Sequence, residues 1–190
     1  MTCVVAVSDP RRGTWMGADS AAIDGNYSVR TMVDPKVHEV GPMLLGYAGQ
    51  LRPGQILAHH LRAPTPRGER PFEYVLRVAE AARGVLKRHE AMGRQDEKAQ
   101  SGALLLIAYR QRLFVLEDDF DAHEPAEPYA AIGAGSDLAL GALYASPELP
   151  PESRLERALL AAERFNASVR RPFSVLHQPM PRPPRKARTR

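Results

Sequence analysis

Position 2 of this 190-residue chain is a threonine, and the residues after it, CVVAV, are the β-branched and apolar types of a buried strand. Thr2 is small enough for Met1 to be removed, which would leave a hydroxyl and a free α-amine on one residue. Such an amine, with an unperturbed pKa of about 7.7–8.0, is a general base near neutral pH. It can activate the hydroxyl beside it, directly or through one water. The branched Cβ stiffens χ1 and holds Oγ1 in place. A nearby ammonium would favour the neutral amine and help carry the negative charge developing on Oγ1, a role Lys36 can take, and Asp19 can fix that lysine. A hairpin brings residue 19 back beside residue 2, and the next strand carries residue 36. Taken singly, each of the three is as readily an ordinary surface or turn residue.

The elements that must position these side chains are readable in outline. TCVVAVS and TWMGADSAA read as two strands joined by the DPRRG turn. VRTMV, KVHEVG and PMLLGYAG read as further short strands. QILAHHL is a short helical patch that stops at the loop APTPRGERP. Residues 72–92 carry Phe72, Val75, Leu76, Ala79, Ala82, Val85 and Leu86 at the spacing of one helix face. GRQDEKAQSG reads as a polar loop. ALLLIAYR, RLFVLE and YAAIG read as strands. Gly135 to Tyr144 and Glu152 to Ser168 read as helices separated by ASPELPPE, and PFSVLH as a last edge strand. Strands, helices, strands, helices in that order do not match the alternation of a doubly wound sheet. They predict an α+β fold in which two antiparallel sheets lie between helix pairs.

Composition narrows the function. The formal charge of +4 is uneven: residues 170–190 hold seven of the 26 basic residues and no acid, so the other 19 face 22 acids, a net of −3. That disfavours a nucleic-acid-binding body and leaves nucleic-acid contact to the tail. PMPRPPRKARTR, at the end of residues 178–190, is Pro/Arg-rich and aperiodic and is expected to be disordered. No segment reads as a membrane span or a signal peptide, and the single Cys3 excludes an internal disulfide, which fits a cytoplasmic protein. Cys3 itself reads as a small buried hydrophobe. Nucleotide-binding loops and a GxSxG elbow are absent. HEAMG (89–93) lacks the second histidine of a zinc-protease helix, adjacent His59 and His60 point to different faces, and EDDFDAHE (117–124) reads as a solvated acidic loop. No metal or cofactor is expected.

TCVVAV, GADSAA, PKVHEVG and LLGYAG, followed by AIGAGSDLALGALYA (131–145), resemble the proteasome β-type subunits, including the bacterial HslV peptidases, in the same order and at nearly the same spacing. The resemblance covers roughly residues 2–177, with 178–190 left as the tail. It implies an Ntn-hydrolase four-layer αββα sandwich. It makes Thr2 the nucleophile, its freed amine the base, Lys36 the tuning cation and Asp19 its anchor. It makes the Gly49 N–H the oxyanion donor and Ser136 a helper near the amine. Tyr47 would line the substrate pocket, although a core aromatic at a strand end is an equal reading. In ERFNASV, Asn166 stands where many β subunits have an aspartate, and Val169 stands where they have a serine. The resemblance further implies a threonine peptidase acting on unfolded polypeptides inside a homo-oligomeric ring, stacked in pairs, with a separate unfoldase ATPase as partner. Two alternatives remain: a non-catalytic shell protein of the same fold, and an Ntn amidohydrolase for small amides.

Overall fold

The computed structural model describes residues 2–24, 26, 28–95 and 98–180. β1 (Cys3–Asp9) and β2 (Gly13–Ala18) form the expected hairpin, running from Val4 opposite Ala18 to Asp9 opposite Gly13. The turn is fastened by Asp9 Oδ1, which accepts the amides of Arg11 and Arg12 at 2.8 Å each. β3 (Ala21–Ile23) and β4 (Val29–Thr31) make a separate two-stranded ribbon. β5 (Val37–Val40) and β6 (Met43–Gly49) lead into α1 (Leu51–His60) and α2 (Pro71–Arg88). β7 (Gly93–Gln95) and β8 (Lys98–Gln100) precede β9 (Ala103–Tyr109), β10 (Arg112–Leu116), β11 (Ala122–His123) and β12 (Tyr129–Gly133). α3 (Ser136–Tyr144), α4 (Pro151–Phe165) and β13 (Ser174–Gln178) complete the chain.

The strands assemble into two main antiparallel sheets, β12-β1-β2-β13 and β11-β10-β9-β6-β5. Alternation along each strand sorts its side chains between two cores. On β1, Val4 and Ala6 face the second sheet and, with Met16 and Ile132 of their own sheet, pack in one core with Leu44, Ala48 and Leu106 of the second. Cys3, Val5 and Val7 face the other way, onto Leu143, Leu155 and Leu159 of α3 and α4. On β6, Leu45 and Tyr47 pack beneath Leu57, Tyr74, Val78 and Leu86 of α1 and α2. The order of layers is therefore helix, sheet, sheet, helix. Burying one such Leu, Val or Ile is worth about 1.5–3 kcal/mol, so three continuous cores fix both sheet registers.

Four details depart from the sequence expectation. The polar stretch GRQDEKAQ carries the β7–β8 hairpin, with Gly93 opposite Gln100, and Asp96 and Glu97 lie outside the described residues. Backbone pairing forms that ribbon without the apolar alternation that marks a half-buried strand. α2 ends at Arg88, where His89 is its C-cap and Glu90 takes a left-handed φ of 51°. α4 ends at Phe165, three residues early, because the Asn166 side chain binds neighbouring backbone in place of helix propagation. The last strand includes Gln178, which pairs with Thr14 and donates to Pro42 O at 3.0 Å, so the sheet reaches one residue into the expected tail. Residues 181–190, most of that tail, lie outside the described residues, as does Met1. Among the described residues no helix is long and apolar enough to cross a membrane.

Candidate active site

Thr2 precedes β1 and is buried. Its carbonyl is held from the β12–α3 connection: Cys3 pairs with Gly133, and the Gly135 amide donates to Thr2 O at 3.3 Å. Gly133 has a φ of 93°, and a Cβ there would stand 2.3 Å from that same oxygen. Only glycine allows β12 to turn away this close to Thr2. The chain then enters α3, whose N-terminal dipole end lies on this side of the sheet.

Asp19 follows β2 and is 1% exposed. Its Oδ1 accepts the Cys3 amide at 3.0 Å and Lys36 Nζ at 2.9 Å. Its Oδ2 accepts the amides of Ala21 at 2.9 Å and Arg170 at 3.4 Å. Lys36, just before β5, is wholly buried and also donates to Ala21 O at 2.7 Å. The Tyr47 amide holds Lys36 O at 3.1 Å. One carboxylate oxygen thus bridges the lysine ammonium and the amide adjoining Thr2. Burial pulls the Lys36 ammonium below the ordinary lysine range, while the Asp19 charge and hydrogen bond oppose that pull. A buried pair of this kind contributes little net stability, and losing one partner costs about 3–5 kcal/mol. Cys3 is no rival nucleophile: burial first, and the Asp19 charge second, push its thiol up to about 12.

The other sequence candidates fall into two groups. Ser136 is the first residue of α3, half-buried, beside the Gly135 that binds Thr2. Asn166 Nδ2 donates to Ala134 O at 2.6 Å while its Oδ1 accepts the Ser168 amide at 2.8 Å, so it braces the same connection from the end of α4. Gly49 ends β6, exposed, with a φ of 91°, and a Cβ there would meet Gly102 O at 2.6 Å. Tyr47 is placed differently. Its ring is wholly buried in the core beneath α1 and α2, on the face of β6 opposite Ala48, and its amide donates to Lys36 O. Burial, and then the Asp34 charge, push its phenol up to about 12.

Several contributors have no sequence signal. Arg170 holds Asp19 through its amide, and its carbonyl accepts the Ser20 amide at 3.0 Å. Backbone contacts carry no side-chain signature. Val169 is buried in the core against α3 and α4, and a buried serine, Ser168, stands one residue earlier. A cavity of about 550 Å³ lies elsewhere, lined by Val115, Tyr129, Leu140 and Tyr144 among others and by none of Thr2, Asp19 or Lys36. Among metal-ligating types, Asp34, His38 and His59 present ligand atoms within 4.8 Å of one another.

No family model and no curated protein matches the sequence. Solved structures match its fold. BPH of Thiobacillus denitrificans aligns over 96% of this chain and 100% of its own with a TM-score of 0.80 at 23% identity, and it also has a structure in complex with epoxomicin. Eukaryotic HslV from Trypanosoma brucei aligns over 92% of this chain and 98% of its own, with a TM-score of 0.67 at 17% identity. The Anbu complex of Pseudomonas aeruginosa, described as a helical assembly, aligns over 94% of this chain and 81% of its own, with a TM-score of 0.65 at 21% identity. HslV and Anbu are proteasome-like Ntn-hydrolase folds, and this chain has that four-layer αββα fold.

Proposed function

We propose that this chain is a threonine-type endopeptidase of the proteasome and HslV kind, made active by loss of Met1. The observation that carries the reading is the buried Lys36–Asp19 pair, tied through one carboxylate oxygen to the amide next to Thr2. An ion pair with both members wholly buried is costly to build, and functional sites are where such arrangements concentrate.

In the reaction, the freed Thr2 amine takes the Oγ1 proton and Oγ1 attacks the substrate carbonyl carbon. The Lys36 ammonium, with two of its three donors spent on Asp19 and Ala21, stabilises the charge developing on Oγ1. The Gly49 N–H receives the oxyanion. The C–N bond then breaks, the Thr2 ammonium returns its proton to the leaving amine, and water hydrolyses the Thr2 ester with the amine again as base. Asn166 holds the Gly133–Ser136 connection through Ala134 O, and Ser136 hydrogen-bonds around the amine. The substrates are unfolded polypeptides reached inside a homo-oligomeric ring in the cytoplasm, with energy supplied by a separate ATPase. The domain runs through β13, and the remaining Pro/Arg-rich segment is an appended arm.

The test is peptide and unfolded-protein hydrolysis by the untagged protein and by Thr2→Ala. The expected result is a loss of at least about 10³-fold with an unchanged melting profile. Full activity in Thr2→Ala would end this mechanism. Activity confined to small amides would move the reading to an amidohydrolase, and none in either protein would favour the shell protein.

A further inference from the structure

Three side chains outside this site converge from three elements. Asp34 lies in the loop after β4, His38 on β5 and His59 near the end of α1, and one ligand atom from each lies within 4.8 Å of the others. His59 Nε2 is 3.0 Å from Asp34 Oδ2. The His38 and His59 rings meet edge to face, with centroids 5.3 Å apart. His38 Nε2 lies 2.7 Å from Pro35 O. A carbonyl only accepts, so that nitrogen carries the proton, and the neutral ring is left with its lone pair on Nδ1. This is the outer support that metal-bound histidines usually have: one nitrogen donates to a carbonyl and the other keeps a lone pair that can bind a metal.

We propose that Asp34, His38 and His59 form a site for a divalent transition-metal ion of the zinc class, with a fourth position open to water. Two imidazoles and one carboxylate suit such an ion and offer too few oxygens for Ca²⁺ or Mg²⁺. The ion takes the place of the proton shared between His59 and Asp34. Tetrahedral bonds of about 2.0–2.1 Å set ligand atoms about 3.3 Å apart, so the His59–Asp34 contact of 3.0 Å opens slightly to admit the ion, and His59, with a side chain 52% exposed, is free to make that move. His60, its neighbour in sequence, is turned away and lies against His89, ring centroids 4.5 Å apart. Because Asp34 and His38 flank Lys36 by two residues on either side, a bound ion would clamp the lysine-bearing segment to α1.

The site does not depend on Thr2 being a nucleophile, so it is tested on Thr2→Ala as well as on the native chain. Untagged, chelator-treated protein is titrated with Zn²⁺ by calorimetry, with Ca²⁺ and Mg²⁺ as comparison ions. One Zn²⁺ per chain is expected in both backgrounds, with a melting temperature that rises with free zinc. His59→Gln and Asp34→Asn should each weaken binding by more than about tenfold, while His60→Gln leaves it unchanged. His59→Gln keeps the test decisive if Asp34→Asn fails to fold, because its side chain is half-exposed. Equal zinc affinity in the native chain and His59→Gln overturns the site, as does loss on His60→Gln alone or no zinc uptake at all.

Discussion

At the scale of the residue, the chemistry turns on how Lys36 is held. Its burial favours the neutral amine and its bond to Asp19 favours the ammonium, with burial the stronger effect. The proposed mechanism needs Lys36 charged and the Thr2 amine neutral. The kcat/KM profile should therefore be bell-shaped: the acid limb reports the Thr2 amine losing its proton, and the alkaline limb reports Lys36 losing its own. Since Lys36 titrates below the ordinary lysine value of about 10.4, the alkaline limb should fall below that pH. Asp19→Asn removes the charge that raises Lys36, so its alkaline limb should move lower still. A rate that stays flat to pH 10.4 or above, a bound set by about the free lysine value, would contradict the role of Lys36. Asp19 was legible beside Thr2 because a hairpin must return to the chain end, whereas Lys36 arrives not on the strand after that hairpin but from the segment just before β5 of the facing sheet. For Tyr47 two readings stood side by side, pocket lining and core aromatic, and alternation along β6 puts its ring in the helix-covered core.

At the scale of the element, the β12–α3 connection is the part on which the site's geometry depends most. It binds Thr2 O through Gly135, accepts Asn166 through Ala134, and turns at Gly133 where no side chain fits. Gly133→Ala should cost more in urea unfolding than strain at a positive φ alone, about 1–3 kcal/mol, because its Cβ would also drive Thr2 O away, and it should lower kcat beyond what the folded fraction explains. A variant with native stability and native kcat would show that Thr2 is not placed from this side. The long strands and the amphipathic helices could be read from sequence because apolar periodicity matches their burial. The β7–β8 ribbon and the early stop of α4 could not. The first is held by backbone pairing among polar residues, and the second by one asparagine side chain competing with helix hydrogen bonds. Asp34, His38 and His59 went unread for a related reason: they come from three elements, and their spacing along the chain resembles no ligand motif.

At the scale of the molecule, the charge is divided between a mildly acidic body and a basic end. The isolated chain also leaves large apolar side chains in water. Val33 is fully exposed, and Tyr144 and Phe165 are more than three-quarters or three-quarters exposed, at 78% and 75%. Single exposed apolar residues are ordinary, but the proposed peptidase works inside a ring, which would cover some of them. We predict a homo-oligomer whose formation buries some of these residues, seen as a mass of many chains in sedimentation at assay concentration. A monomer there that still hydrolyses peptides would remove the enclosed chamber from the account while leaving the chemistry of Thr2.

The central claim is that Thr2 is the first residue of the working protein. The most direct measurement is the intact mass of the untagged protein purified in its active form. The account predicts a chain beginning at Thr2, lighter by one methionine than the full 190 residues. Active protein that retains Met1 at full occupancy would contradict it, because the amine proposed as the base would then be part of a peptide bond.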